Sequence, residues 1–264
     1  MQDFGFHRPA TLAAAVEAAR KHPGGKYLGG GQSLIPVMKL GLAAPSDLVA
    51  VAGLAELRGI RVEGKELVVG GGVTHAEVAE SAEARTAIPA LADLAAHIGD
   101  AQVRNRGTLG GSLAHNDPAA DYPAAVLALG ATVQTDRRRI GADDFFKGLF
   151  ATALARDEVV VAVRFPVPEK AAYAKFPHPA SRFALVGVMV ARGSAGVRVA
   201  VTGAGPGVFR AAAMEQALAR SFAADALAGA ALPAQGLVGD GFGSAEYRAH
   251  LAVVLARRAV ASCT

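Results

Sequence analysis

The 264-residue chain contains no tryptophan and a single cysteine, Cys263, one residue from its end. One thiol cannot build an intrachain disulfide framework, and it cannot hold an iron–sulfur cluster or a cysteine-ligated zinc. No apolar run approaches the ~20 residues that a membrane-spanning helix needs, so no span is expected. Met1 leads straight into polar, proline-containing sequence. No signal peptide is therefore expected, and a cytoplasmic protein is the simplest reading. Dense basic patches are scarce too. The net charge is +4, yet the longest basic run is Arg137-Arg138-Arg139, which reads as a solvated turn. Without interleaved aromatics to stack bases, nucleic-acid binding is not expected.

Glycine and apolar residues are plentiful: 31 glycines and a hydrophobic fraction of 52%, in a chain long enough for two or three lobes. Residues 11–22 read as an amphipathic helix with Leu12, Ala15, Val16 and Ala19 on one stripe and Thr11 as its cap. Tyr27-Leu28 and 48–51 read as short strands. Alternation over 60–73 predicts a hairpin turning at Glu63-Gly64-Lys65. Thr74 and Glu77 have capping-box spacing, which makes His75 a cap-turn residue and starts a helix running to Ala84; another spans 88–98. Asp117-Pro118 reads as the start of a helix through Leu129, followed by strands at 131–135 and 159–167. Beyond Tyr173 the pattern predicts strands over 173–191 and 196–204, then helices over 209–220 and 244–261, the last carrying Leu251, Val254, Leu255 and Val260 on one stripe.

Two glycine-rich stretches carry the chemistry: 26-KYLGGGQSLIPVMKL-40 and 104-RNRGTLGGSLAHNDPAAD-121. Neither is a Walker loop, because Gly25-Lys26-Tyr27 lacks the Gly-Lys-Ser/Thr order. Neither is a dinucleotide fingerprint: Leu34 stands where a third glycine is needed after Gly29 and Gly31, and His75 spoils the set at Gly70 and Gly72. What remains is a pair of bare turns whose N–H groups could cradle an anion without a lysine, with Gln32 and Ser33 adding polar contacts. Ordinary tight turns remain the competing reading. His115 and Asp117 lack a third ligand, so no metal site is expected there or elsewhere in the chain. Arg104 and Arg106 could neutralise phosphate or hydrogen-bond neighbouring loops.

In combination, 29-GGGQSLIP-36 with Met38-Lys39, the 104–121 stretch and 173-YAKFPHPASRFALVGV-188 strongly resemble the FAD-binding middle subunit of the molybdenum hydroxylases. That group includes aerobic CO dehydrogenase and xanthine dehydrogenase. The resemblance implies an α+β protein: a two-lobed FAD-binding domain of the PCMH type (lobes 1–54 and 55–168), then a C-terminal α+β domain, 169–264, with a three-stranded antiparallel sheet. It implies that Leu28, Gly29, Gly30, Gly31, Gln32, Ser33 and Leu34 form one diphosphate loop. Thr108, Leu109, Gly110, Gly111 and Ser112 would form the second. Asp121 would contact the sugar portion of FAD, Val160 and Ile98 would line the pocket, and Phe183 would lie near the flavin ring. Lys175 would sit at the flavin's polar edge and favour its anionic reduced form by Coulomb attraction. The resemblance further implies noncovalent FAD, with no His or Cys in the first loop to tether it. The molybdenum cofactor and two [2Fe–2S] clusters would sit on partner subunits, in a dimer of heterotrimers that passes electrons to an external acceptor. A self-sufficient reductase of the same FAD-binding superfamily, or a non-redox nucleotide-binding assembly module, are the alternatives. Trimming of the C-terminal lobe is expected around Ser194.

Overall fold

The computed structural model describes residues 2–263, which form three larger sheets with helices packed on them and a fourth of two short strands, Phe146–Gly148 and Ala151–Thr152. The first is small and parallel: strands Gly5–His7, Asp47–Ala50 and Lys26–Leu28, with Asp47–Ala50 in the centre. Helix Leu12–Lys21 is capped by Thr11, whose side chain accepts the Ala14 N–H at 3.2 Å. It lays Ala15 and Val16 against Val49 and Val51, the apolar stripe that the sequence spacing predicts.

A second, five-stranded antiparallel sheet runs in the order Ile60–Glu63, Glu66–Gly70, Val160–Pro166, Thr132–Thr135, Arg139–Gly141. The hairpin forms with Gly64 at φ 62°, a left-handed turn position suited to glycine. The capping box is made in full: Thr74 Oγ1 accepts the Glu77 N–H, and Glu77 Oε2 accepts the Thr74 N–H at 2.7 Å. Replacing Thr74 with alanine is expected to cost about 1 kcal/mol in chemical denaturation, the usual worth of such a cap.

The helix expected to run from this box to Ala84 is two helices, His75–Glu80 and Ala82–Ala87. Ser81 turns to an extended conformation and caps the second helix through the Ala84 N–H, so its side chain competes with the backbone for the helical bond. The helix expected at Asp117-Pro118 begins only at Tyr122. Its carbonyls are engaged elsewhere: Pro118 O accepts the Gly203 N–H and the Thr202 hydroxyl, Ala119 O the Ala184 N–H, and Ala120 O the Thr202 hydroxyl. Residues 117–120 therefore form a turn bonded to the third sheet.

That third sheet has four antiparallel strands, not the expected three: Lys170–Pro177, Ala184–Gly193, Gly196–Thr202 and Phe209–Arg210. The fourth is two residues long, pairing Val201 with Phe209 and Ala200 with Arg210, too short to show any alternation. Ala184–Gly193 is buried on both faces. Val186, Val188 and Val190 face helix Ala245–Ser262 in a core that helix Ala212–Arg220 joins by packing on strand Gly196–Thr202, while Met189 and Ala191 join the core around helix Tyr122–Ala128. Two buried faces explain why this strand reads as one continuous apolar run. Arg248 closes the sheet's end, donating to Leu185 O at 2.9 Å and Gly203 O at 2.7 Å. Among the described residues, no helix is long and apolar enough to cross a membrane.

Candidate functional site

One cavity of about 610 Å³ lies where the first two sheets meet, closed on one side by the 178–183 turn of the third. Its size falls within the ~300–1,000 Å³ typical of small-molecule sites. The glycine loop after strand Lys26–Leu28 forms one wall, and all seven residues of Leu28 to Leu34 line it. Gly31 has φ 75°, which only glycine adopts freely, and the loop then feeds helix Leu34–Lys39. The N–H groups of the six residues Gly29 to Leu34 have no acceptor among the described residues.

The second glycine stretch packs flat against the first. A Cβ on Gly30 would lie 1.7 Å from Arg106 O, and one on Gly29 would lie 2.8 Å from Thr108 Oγ1. Here the structure differs from the bare turn that the sequence suggests. Residues Leu109–His115 form a helix capped by Thr108, whose Oγ1 accepts the Gly111 N–H at 3.1 Å. Leu109 N–H bonds Val73 O, Gly110 N–H bonds Gly71 O, and Ser112 N–H bonds Thr108 O. The amides of Leu109 to Ser112 are already used within the protein. Its contribution to the cavity is close backbone approach at Gly110 and Gly111, with the hydroxyls of Thr108 and Ser112.

Asp121 lies in the cavity wall, 4% exposed, and is held by two groups. Tyr173 donates its hydroxyl to Oδ1 at 2.5 Å, and Lys175 Nζ lies 2.9 Å from Oδ1 and 3.0 Å from Oδ2. Burial raises the Asp121 pKa above the ordinary carboxylate value, and the Lys175 charge pulls against that rise. The same burial, with the adjacent Asp121 charge, lifts the Tyr173 hydroxyl far above its usual value, so it remains a donor.

Ile98, Val160 and Phe183 also line the cavity, Phe183 being 43% exposed at its rim. Two expected residues do not line it. Leu109 points into the core, 1% exposed, because the helix it opens turns that face toward the second sheet. Lys175 lies behind Asp121, where its ammonium also donates to His97 O at 3.1 Å. Arg104 takes the structural of its two readings, donating to Ile98 O and Gly99 O. His115 packs its ring on Phe150 at 5.1 Å, and Asp117 accepts the Ala119 N–H at 2.8 Å.

Sequence reasoning missed two parts of this wall. Gly71 and Gly72 form a third glycine turn against it, since a Cβ on Gly71 would lie 2.1 Å from Val160 O. The 70-GGG-72 run is the signal for it, visible once it is tested for close approach and not only for a fingerprint. His75 is the other. It sits in the cap turn as expected, directly after Thr74, but is only 5% exposed, and its Nδ1 has no partner among the described residues. Burial, reinforced by the Arg104 charge, holds its pKa down at about 4, so the imidazole is neutral at pH 7.

This cradle suits a diphosphate cofactor: consecutive free amides on glycines, hydroxyls opposite them, and a fixed carboxylate for sugar hydroxyls. Comparison with known proteins agrees. Residues 2–168 match the family described as the FAD binding domain in molybdopterin dehydrogenase. The chain is 34% identical to the carbon monoxide dehydrogenase medium chain of Hydrogenophaga pseudoflava, over 97% of this chain and 96% of that one. It is 35% identical to the nicotine 6-hydroxylase medium subunit of Paenarthrobacter nicotinovorans, over 97% and 95%. The solved structure of Hydrogenophaga pseudoflava carbon monoxide dehydrogenase superposes with a TM-score of 0.88 at 34% identity, covering 99% of this chain and 97% of that one. With a family match over most of its length and relatives aligned almost end to end, the chain belongs to the FAD-binding medium subunits of the molybdenum hydroxylases, a component of oxidoreductase complexes.

Proposed function

We propose that the chain holds FAD noncovalently in the 610 Å³ cavity and relays electrons from the [2Fe–2S] clusters of a small subunit to an external acceptor. Substrate is oxidised on a large molybdenum-cofactor subunit, and the three chains pair as a dimer of heterotrimers in the cytoplasm. The fold divides as a PCMH-type pair of lobes, 1–54 and 55–168, and a C-terminal domain, 169–264. The observation that carries this reading is the run of six N–H groups from Gly29 to Leu34 along the cavity wall, without an acceptor among the described residues.

Those amides take the negative oxygens of the diphosphate, each charge-assisted bond contributing about 1.5–3 kcal/mol. Thr108 and Ser112 hydroxyls complete that pocket from the opposite side. Asp121, its carboxylate fixed by Tyr173 and Lys175, accepts hydrogen bonds from the sugar portion. Ile98 and Val160 pack on the cofactor's apolar parts, and Phe183 covers the rim. The flavin supplies the redox chemistry when bound, and the protein supplies position and electrostatics.

The chain purified alone is expected to show flavin bands near roughly 370 and 450 nm that move wholly to the supernatant on acid precipitation. Purified from its host, it is expected to bring a cysteine-rich small subunit and a large molybdenum subunit with it. A colourless preparation from both sources would overturn the cofactor assignment, and flavin without partners would overturn the relay.

A further inference from the structure

At the far end of the first sheet from the glycine loop, three side chains converge that the flavin site does not use. His7 ends the first strand, Asp47 opens the central one, and His22 caps helix Leu12–Lys21. His7 Nε2 lies 2.8 Å from Asp47 Oδ1 and His22 Nδ1 lies 3.2 Å from the same oxygen. The three ligand atoms all fall within 4.8 Å of one another. Tetrahedral zinc, with bonds of about 2.0–2.1 Å, sets its donors about 3.3 Å apart, so a single ion fits with small side-chain shifts.

The surroundings are those of a ligand set held in place. Ser46 donates its hydroxyl to Asp47 Oδ2 at 2.7 Å, which fixes the carboxylate and turns Oδ1 to the two imidazoles. His22 is anchored through its backbone, its N–H on Ala18 O and its carbonyl on the Gly25 N–H. Glycines clear the space: a Cβ on Gly5 would lie 2.3 Å from Asp47 Oδ1 and 3.3 Å from His7 Nε2, and one on Gly24 2.7 Å from Ser46 Oγ. The imidazole faces are 4.4 Å apart between centroids. Their outer nitrogens have no partner among the described residues, and the side chains are 32% and 38% exposed. Those nitrogens can carry the ring protons while the inner ones coordinate, and water has access to complete the shell.

We propose that His7, His22 and Asp47 form a site for a borderline divalent transition-metal ion, with Zn²⁺ as the reference occupant. Two imidazoles and a carboxylate favour zinc over calcium or magnesium, which take oxygen ligands. The ion ties the N-terminal strand and the end of the first helix to the central strand. Zinc has no redox chemistry, so its role is to brace the lobe that carries the Gly29–Leu34 loop.

The test uses the whole complex, dialysed against chelator with iron, molybdenum and flavin contents checked as unchanged, then titrated with ZnCl₂ alone. Calorimetry and elemental analysis are expected to show one zinc per medium chain at micromolar affinity, with a higher melting temperature. The His7→Ala/His22→Ala variant is expected to lose at least tenfold in affinity and the thermal shift, with flavin content retained. His7→Gln/His22→Gln keeps side-chain volume and decides the matter if the alanine pair fails to fold. Zinc uptake equal in wild type and the glutamine pair, or no saturable binding in wild type, overturns the proposal.

Discussion

Gly30→Ala is expected to abolish FAD binding, with affinity falling at least about 100-fold, while Gly53→Ala leaves it unchanged. The added Cβ of Gly30→Ala would stand 1.7 Å from Arg106 O, 2.3 Å from Arg106 C and 2.7 Å from the Gly107 Cα. All three are backbone atoms, so no rotamer change relieves the overlap, and the two loops must separate. Overpacking of this kind typically costs about 1–3 kcal/mol of stability, and the upper end applies where backbone must move. The larger effect is on the ligand. Separating the loops misdirects several amides at once, and loss of two charge-assisted bonds at about 1.5–3 kcal/mol each reaches the stated factor. A Cβ on Gly53 would meet nothing within 4 Å, and its φ is not positive, so its alanine variant controls for glycine removal as such. Titration of flavin-stripped protein, read by fluorescence quenching, measures both. Near-normal affinity in Gly30→Ala would show that the two stretches do not act as one cradle.

The same glycines show how far sequence carries the reading. Gly29 to Gly31 are legible only together with the second stretch, since a glycine run alone can be an ordinary tight turn, as 70–72 is with its amides bonded, whereas the Gly29–Leu34 amides find no acceptor among the described residues. The second stretch is legible as a participant but not in its manner. Thr108 caps a real helix there, and the signal, a threonine three residues before Gly111, is the ordinary capping spacing. The secondary structure is readable where one residue decides it, as at Thr11, Thr74 and Gly64. It is misread where distant partners decide it. The turn at 117–120 exists because Thr202 and Gly203 capture carbonyls that a helix would otherwise use, across more than 80 residues of chain. Burial is the other blind spot. Nothing local distinguishes a capping-region histidine in solvent from His75, enclosed by Gly107 and the Tyr122 ring at 5.3 Å.

Lys175→Met is expected to make the protein's stability fall as pH rises from 5 to 8, a dependence much weaker in the wild type. Lys175 and Asp121 are 6% and 3% exposed at their side chains, and among the described residues each is the other's one opposite charge at contact distance. Removing one member of such a pair leaves a buried, uncompensated charge, at a cost of about 3–5 kcal/mol if it stays ionised. Asp121 escapes part of that cost by binding a proton. Burial already raises its pKa, and the Lys175 charge is the largest opposing influence, so its loss raises the pKa further. The folded state then holds a proton that the unfolded chain releases above the ordinary carboxylate range. Folding is therefore favoured at low pH, and that advantage is lost as pH climbs through the raised folded-state pKa. Urea unfolding at pH 5 and pH 8 measures the slope directly. Asp121→Asn combined with Lys175→Met removes the titrating group and is expected to flatten it, recovering most of the stability lost at pH 8. A deficit in Lys175→Met that is the same at both pH values would mean that lost packing of the lysine stem, not the stranded carboxylate, sets the cost. The fixed geometry of Asp121 in the cavity wall would then rest on Tyr173 alone.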